Sequence, residues 1–467
     1  MSVSIFDSFL TTPDMIAVFD DASVVQAMFR FEAALARAQA AEGIIPEAAA
    51  RAIASVCNAQ LYDIPAMVHA SRRAGSLAIP LVKELTKTVA LFNQESANYV
   101  HWGSTSQDVI DTGMVLVTRQ ALSLIDDGLQ TLTESLLNLA EQHLATPILA
   151  RTLMQPAQVT SFGFKLVGWA APLVRARVQL RETAQRALQL QLGGAVGTLA
   201  VMAKKGPAVA RRVADDLGLA EADAAWHTQR DEWVRLGLEV AVMVGSLGKI
   251  ATDLSLLAQG EIAELAEPSG NGRGGSSAMP HKRNPVSSMI ALAAAARTPQ
   301  RAAALLAGMG QEHERGLGNW QAELAEWPGM FLSAHGALTA LAEAMAGLHV
   351  DTVRMRRNID ALQGLVFAEA VSIYLAAAIG RPQAHGLMEQ LTQLAVANGK
   401  DLAAVITDHV KTAVKTDTRL RDKIDLSVLQ TLFDPVAATG PAETLARQQL
   451  QTLRTTVAAL QALTALT

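Results

Sequence analysis

The sequence predicts an all-α, long-helix protein, and three observations carry that expectation. Alanine and leucine dominate a chain of 467 residues in which half are apolar and only 4% are aromatic, a composition that favours close-packed helices. Prolines leave three long gaps, at residues 81–146, 208–267 and 329–381. Alternating runs of strand type are scarce. Within the first gap, Val117, Ala121, Ile125, Leu129, Leu132, Leu136 and Leu139 step by threes and fours, which is one face of a long amphipathic helix. That pattern places the helix start after Thr112 or Gly113. Trp233 to Leu257 is apolar nearly all round, so a helix there must bury most of its faces inside a bundle or an oligomer.

Three regions follow from the breaks. Residues 1–103 read as short helices interrupted at Pro46, Pro65 and Pro80. Residues 104–350 hold the long helices and a glycine-rich loop at 269–285. Residues 351–467 read as shorter helices, with breaks at Gly380, Pro382, Pro435, Gly440 and Pro441.

Charge and cysteine usage exclude several classes of function. The 39 basic and 44 acidic residues leave a formal charge of −5, with no polybasic surface for nucleic acid or membrane. The single cysteine, Cys57, excludes an internal disulfide and a cysteine-based metal site. The ten histidines show no metal-ligand spacing. No leader of basic-then-apolar type opens the chain, and no uninterrupted apolar run approaches the ~20 residues needed to span a bilayer. The expectation is a cytoplasmic protein without metal, cofactor, nucleic-acid or membrane partner.

Four stretches carry chemistry. GSSAMPHKRNP, Gly275 to Pro285, follows a segment with four glycines between Ser269 and Gly275 and is not helical. Its Lys282 and Asn284 are suited to gripping a carboxylate, while His281 reads equally as a solvated loop charge. HWGSTSQD, His101 to Asp108, puts Thr105, Ser106 and Gln107 at a helix N-terminus, where N–H groups and the dipole favour an anion. Plain N-capping by Ser106 or Asp108 explains the same residues. RTLMQPAQ, Arg151 to Gln158, and QLGGAVGT, Gln191 to Thr198, are breaks between helices. His143 reads as a charge at a helix C-terminus. GNGRGG fits the G-x-G-x-x-G spacing, but a helical pattern precedes it and a proline-containing loop follows, so a dinucleotide site is rejected.

Taken in order, these stretches resemble the fumarase/aspartase superfamily over essentially the whole chain, and the loop meets every fixed position of GSSxMPxKxNP. The resemblance implies a three-domain helical fold and homotetramers whose sites draw on three subunits, without cofactor. It makes Ser276 the catalytic base. Lys282 and Asn284 hold one substrate carboxylate, and Thr105, Ser106 and Gln155 help to bind the other end. His101, Gln107, Thr152 and Arg315 join them as substrate-binding candidates.

One departure selects the chemistry. Members that expel hydroxide or an amine resemble T-H-x-Q-P, whereas this chain reads T-L-M-Q-P, with Leu153 where the histidine belongs. Hydroxide and amide leave only with a proton, and a carboxylate, of pKa about 4, leaves without one. The implied reaction is therefore that of the superfamily's lactone-forming cycloisomerases of protocatechuate catabolism, acting on a small tricarboxylate. An adenylosuccinate-lyase-like C–N lyase is the alternative. Its phosphate-holding segment corresponds to ERGLGNWQAEL, where Trp320 and Glu323 stand and a phosphate would face a carboxylate. A non-catalytic helical scaffold is the third reading.

Overall fold

The computed structural model describes residues 4–270, 272–275, 278–279, 281–416 and 423–462. Helix α1 (Asp21–Ala41) packs across a bundle of five long helices: α2 (Ser106–Gln142), α3 (Phe162–Ala187), α4 (Asp231–Leu257), α5 (Val286–Ala307) and α6 (Asn319–Ala346). Their directions alternate. Asp111 near the start of α2 meets Arg230, just before α4, and Trp320 in the first turn of α6, so these three helices start at one end. Helix α3 begins beside the end of α2, where Ser161 Oγ donates to the Leu144 carbonyl. Helix α5 returns likewise, and Asn319 donates back to the Gly310 carbonyl.

Helix α2 has 37 residues, about 55 Å at 1.5 Å per residue. It starts at Ser106, with Thr105 as its N-cap, a full turn and more before the start read from the apolar pattern. That pattern begins late because the first turns are anchored by polar contacts as well as apolar ones. Thr112 Oγ1 donates to the Gln191 carbonyl. Gly113 lies mid-helix against α1, and a Cβ there would come within 3.0 Å of Met28 Cγ. Val117, Ala121, Ile125, Leu129, Leu132 and Leu136 are buried as the periodicity requires.

A β-hairpin interrupts the helices, which the sequence reading did not anticipate. Strands β1 (Pro147–Thr152) and β2 (Gln155–Ser161) pair antiparallel, with a register shift at Ala150/Arg151. One continuous apolar core joins residues 15–97 to the bundle and also takes in Ala446, Leu450 and Val457 of the last helix, α7 (Gly440–Ala462). A separate smaller core lies within residues 371–429.

Helix α4 is long and apolar enough to cross a membrane by length and composition, but half of its most apolar stretch is buried within the chain. It contacts α3, α5 and α6. Its remaining face shows Val242, and α5 beside it exposes Met289, Leu292, Ala296, Pro299, Ala303 and Leu306 at steps of three and four.

Candidate active site

The HWGSTSQD stretch is held by Asp108, which is fully buried. Its carboxylate accepts the N–H of Thr105 at 3.0 Å, closing the helix cap, and the N–H groups of Gly193 and Gly194 at 3.0 and 2.9 Å. His227 Nε2 donates to it at 2.7 Å. QLGGAVGT is therefore not a simple helix–helix turn. It is a second wall of the helix cap, tied to α2 by one carboxylate. Arg315 joins the same wall by donating to the Gly194 carbonyl at 2.8 Å.

Below this layer lies a closed ionic network. Arg230 donates to Asp111 at 2.8 Å and to Glu323 at 2.5 Å. Trp320 Nε1 adds a bond to Asp111, and the Arg230 guanidinium lies 4.5 Å from the Trp226 ring centroid. Gln107 is also inside, donating to Asp111 and to the His227 carbonyl. Glu323 is turned inward to Arg230, so it is not a carboxylate facing a ligand, as the comparison with a phosphate clamp had it. His227 and Arg230 were not singled out as site residues from the sequence; the one signal was two basic side chains between the tryptophans of WHTQRDEW, Trp226 to Trp233. His101 and Thr105–Ser106 are half-buried at the mouth of the layer.

The other candidates lie at the far end of the bundle. Arg151 of β1 makes a two-pronged ion pair with Glu264, just beyond α4, and Asn358 donates to the same carboxylate. Thr152 and Gln155 pair across the hairpin mouth. The base of the glycine-rich loop is pinned nearby. Glu267 accepts the N–H groups of Ser287 and Ser288, both at 2.8 Å, and so caps α5. Arg273 ion-pairs with Glu343 at 2.7 Å. Gly274 has φ +69, and a Cβ on it would lie 2.7 Å from the Asn284 carbonyl; Asn284 N–H donates to Gly274 O at 2.8 Å. That clasp sets Lys282 on an exposed loop with Asn284 half-buried at its foot. Ser276 lies outside the described residues. At the C-cap of α2, burial holds the His143 imidazole below its usual pKa, so a fixed charge there is disfavoured.

One chain therefore splits the candidates into two groups. His101, Thr105, Ser106, Gln107 and Arg315 stand at the start of α2. Thr152, Gln155, Lys282 and Asn284 stand at its far end. Among the described residues, no group of three or more His, Cys, Asp or Glu is placed to hold a metal ion.

The hairpin tip is strained. Leu153 and Met154 both have positive φ, 50° and 65°, the conformation of a two-residue turn that Asn-Gly favours. Leu153 is also 97% exposed. Strain combined with apolar exposure costs stability, so the tip is a place to test for a part in turnover. Leu153→Asn with Met154→Gly is expected to raise stability by about 1–2 kcal/mol and to cut turnover at least ~10-fold. Thermal unfolding and steady-state rates check both, and an intact rate would show the tip has no catalytic part.

The long-helix bundle is the fold that the resemblance to the fumarase/aspartase superfamily implies. The chain belongs to the lyase family, whose sequence profile matches residues 9–298. It is 44% identical to 3-carboxy-cis,cis-muconate cycloisomerase of Bradyrhizobium diazoefficiens over 95% of this chain and 97% of that one. The enzyme of that name from Pseudomonas aeruginosa is 45% identical over 94% of each. The crystal structure of 3-carboxy-cis,cis-muconate lactonizing enzyme from Pseudomonas putida superposes with a TM-score of 0.90 at 42% identity, covering 97% of this chain and 99% of that one.

Proposed function

We propose that this chain interconverts 3-carboxy-cis,cis-muconate and its lactone, acting as a lactone-forming cycloisomerase in protocatechuate catabolism. The observation that carries the proposal is whole-length similarity to enzymes of that name, joined to Leu153 in place of an acid. In the closing direction, a carboxylate oxygen of the substrate bonds to the double bond while a proton reaches the neighbouring carbon. In reverse, Ser276 takes that proton, Lys282 and Asn284 hold the resulting aci-carboxylate, and the C–O bond breaks to free a carboxylate. Donors fixed before the charge develops supply most of the rate. The cationic Lys282 and Arg283 of the same loop sequence favour an ionised Ser276.

The proposal includes a cytoplasmic homotetramer with shared sites. Two observations support the assembly. Residues expected at one site lie at opposite ends of a helix about 55 Å long. The apolar stripe on α5, Met289 to Leu306, is uncovered in the single chain and of the kind that marks an interaction surface.

The test is a substrate panel of 3-carboxymuconate, its lactone, adenylosuccinate, argininosuccinate, fumarate and aspartate, read by ultraviolet absorbance where a conjugated diene is gained or lost. Carboxymuconate and its lactone are expected to turn over fastest. Faster turnover of fumarate, aspartate or adenylosuccinate would overturn the leaving-group argument.

A further inference from the structure

Glu32 is a carboxylate in the wrong setting. It sits on α1 with its side chain 1% exposed, and its neighbours one turn away, Met28, Phe29, Leu35 and Ala36, are all buried. A charge on such a face is costly unless it is paired. Oε1 lies 2.6 Å from His101 Nδ1, while Oε2, also buried, has no hydrogen-bond partner among the described residues. His101 itself is held at φ 58°, a left-handed conformation that a histidine rarely adopts. Two unfavourable features thus meet in one contact, four residues ahead of Thr105.

The surroundings favour charge on the ring. Burial works against it, but the Glu32 carboxylate, its hydrogen bond and then Asp108 of α2 hold the imidazole above its usual pKa. Beside Glu32, burial pushes the Cys57 thiol up, so it stays neutral. From the neighbouring 3-10 helix Ala200–Lys205, the Lys205 ammonium donates to the Glu42 carbonyl. The charge state decides what the ring does to an anion. With Nδ1–H given to Glu32, a neutral imidazole presents an Nε2 lone pair, and an imidazolium presents an Nε2–H donor.

We propose that Glu32 is a positioning residue for substrate binding: it fixes the His101 ring through Nδ1 and keeps it an imidazolium, so that Nε2–H meets a substrate carboxylate. The inference rests on the reading of His101 as a substrate-binding residue. The cation is present below the raised ring pKa and is lost as pH rises through it, so KM should climb on the alkaline side.

The experiment compares wild type, Glu32→Gln, Glu32→Asp and His101→Asn, measuring kcat and KM for the lactone from pH 5.5 to 9. Histidine labelled with 13C at Cε1 reports the ring titration, assigned by the His101→Asn spectrum. His101→Asn is expected to raise KM about 10-fold, the scale of one charge-assisted hydrogen bond. Glu32→Gln should lower the His101 titration midpoint and shift the rise in KM to lower pH, with kcat changed less than about 3-fold. Glu32→Asp should recover part of both. An unchanged KM in His101→Asn would remove the underlying reading of that residue. A KM effect in His101→Asn alongside a pH profile and ring titration unmoved in Glu32→Gln would overturn the role of Glu32 alone. Should Glu32→Gln fail to fold, the wild-type titration decides: a ring midpoint at or below that of an ordinary histidine sinks the proposal.

Discussion

Replacing Ser276 with alanine is expected to cut turnover by ~10² or more while leaving the fold intact, the scale of a positioned proton-transfer group. Ser277→Ala should cost much less, because the resemblance puts the base at the first serine after Gly275. The loop's ends are clasped by Gly274 and Asn284 and by the Glu267 cap of α5, contacts built from other residues, so loss of structure is not the expected cause. Equal rates in Ser276→Ala and wild type would remove the base assignment. The same variant tests the shared site. Ser106 starts α2, and the described residues of the loop that carries Ser276, Gly274 and Asn284 among them, lie at the other end of the bundle, so a Ser106→Ala chain and a Ser276→Ala chain each keep one group of candidates intact. If every site draws its two ends from different chains, random mixing leaves about a quarter of sites wild type in both. Activity should rise from near zero towards that fraction after the two are denatured and refolded together. No recovery would mean that each site is built within one chain.

The sequence showed the bundle because burial repeats with the helical period: Val117 through Leu136 face the core at the positions the spacing requires. It also showed the loop, since four glycines ahead of a proline-bounded string exclude a helix. The hairpin was invisible for a local reason. Its turn is Leu153-Met154, without the glycine or asparagine that signals such a connection, and Arg151 opposes Pro156 at a register shift. The layer under the Thr-Ser turn was invisible for a non-local one. His227 and Arg230 reach Asp108 and Asp111 across 119 residues of chain, and no spacing rule links them. Glu32 was legible in principle: an acid whose neighbours at three and four residues on each side are all apolar is a buried charge awaiting a partner.

Arg230→Met is expected to destabilise the protein by about 3–5 kcal/mol, the cost of stranding a buried partner charge. Arg230 is fully enclosed, and two carboxylates, Asp111 and Glu323, each 1% exposed, share its guanidinium. Removing it leaves both without their cation in the layer that holds Gln107 and Trp320. The surface pair Arg211–Glu221, more than half exposed on both sides, is the control, and Arg211→Met should change stability by less than about 1 kcal/mol. The pH dependence carries the physical signature. Burial pushes the Glu323 carboxyl above its usual pKa, Arg230 opposes that, and Asp111 adds to it. Without Arg230 the shift grows, so the folded state binds a proton that the unfolded state has already released. Stability then falls as pH rises above the ordinary carboxyl range, and the penalty of Arg230→Met should be larger at pH 8 than at pH 6. Adding Glu323→Gln to Arg230→Met should recover part of the loss, because one of the two stranded charges is gone. Thermal unfolding of the four proteins at both pH values checks each step, and a penalty equal at pH 6 and 8 would show that the carboxylates find solvent or another partner once the arginine is removed.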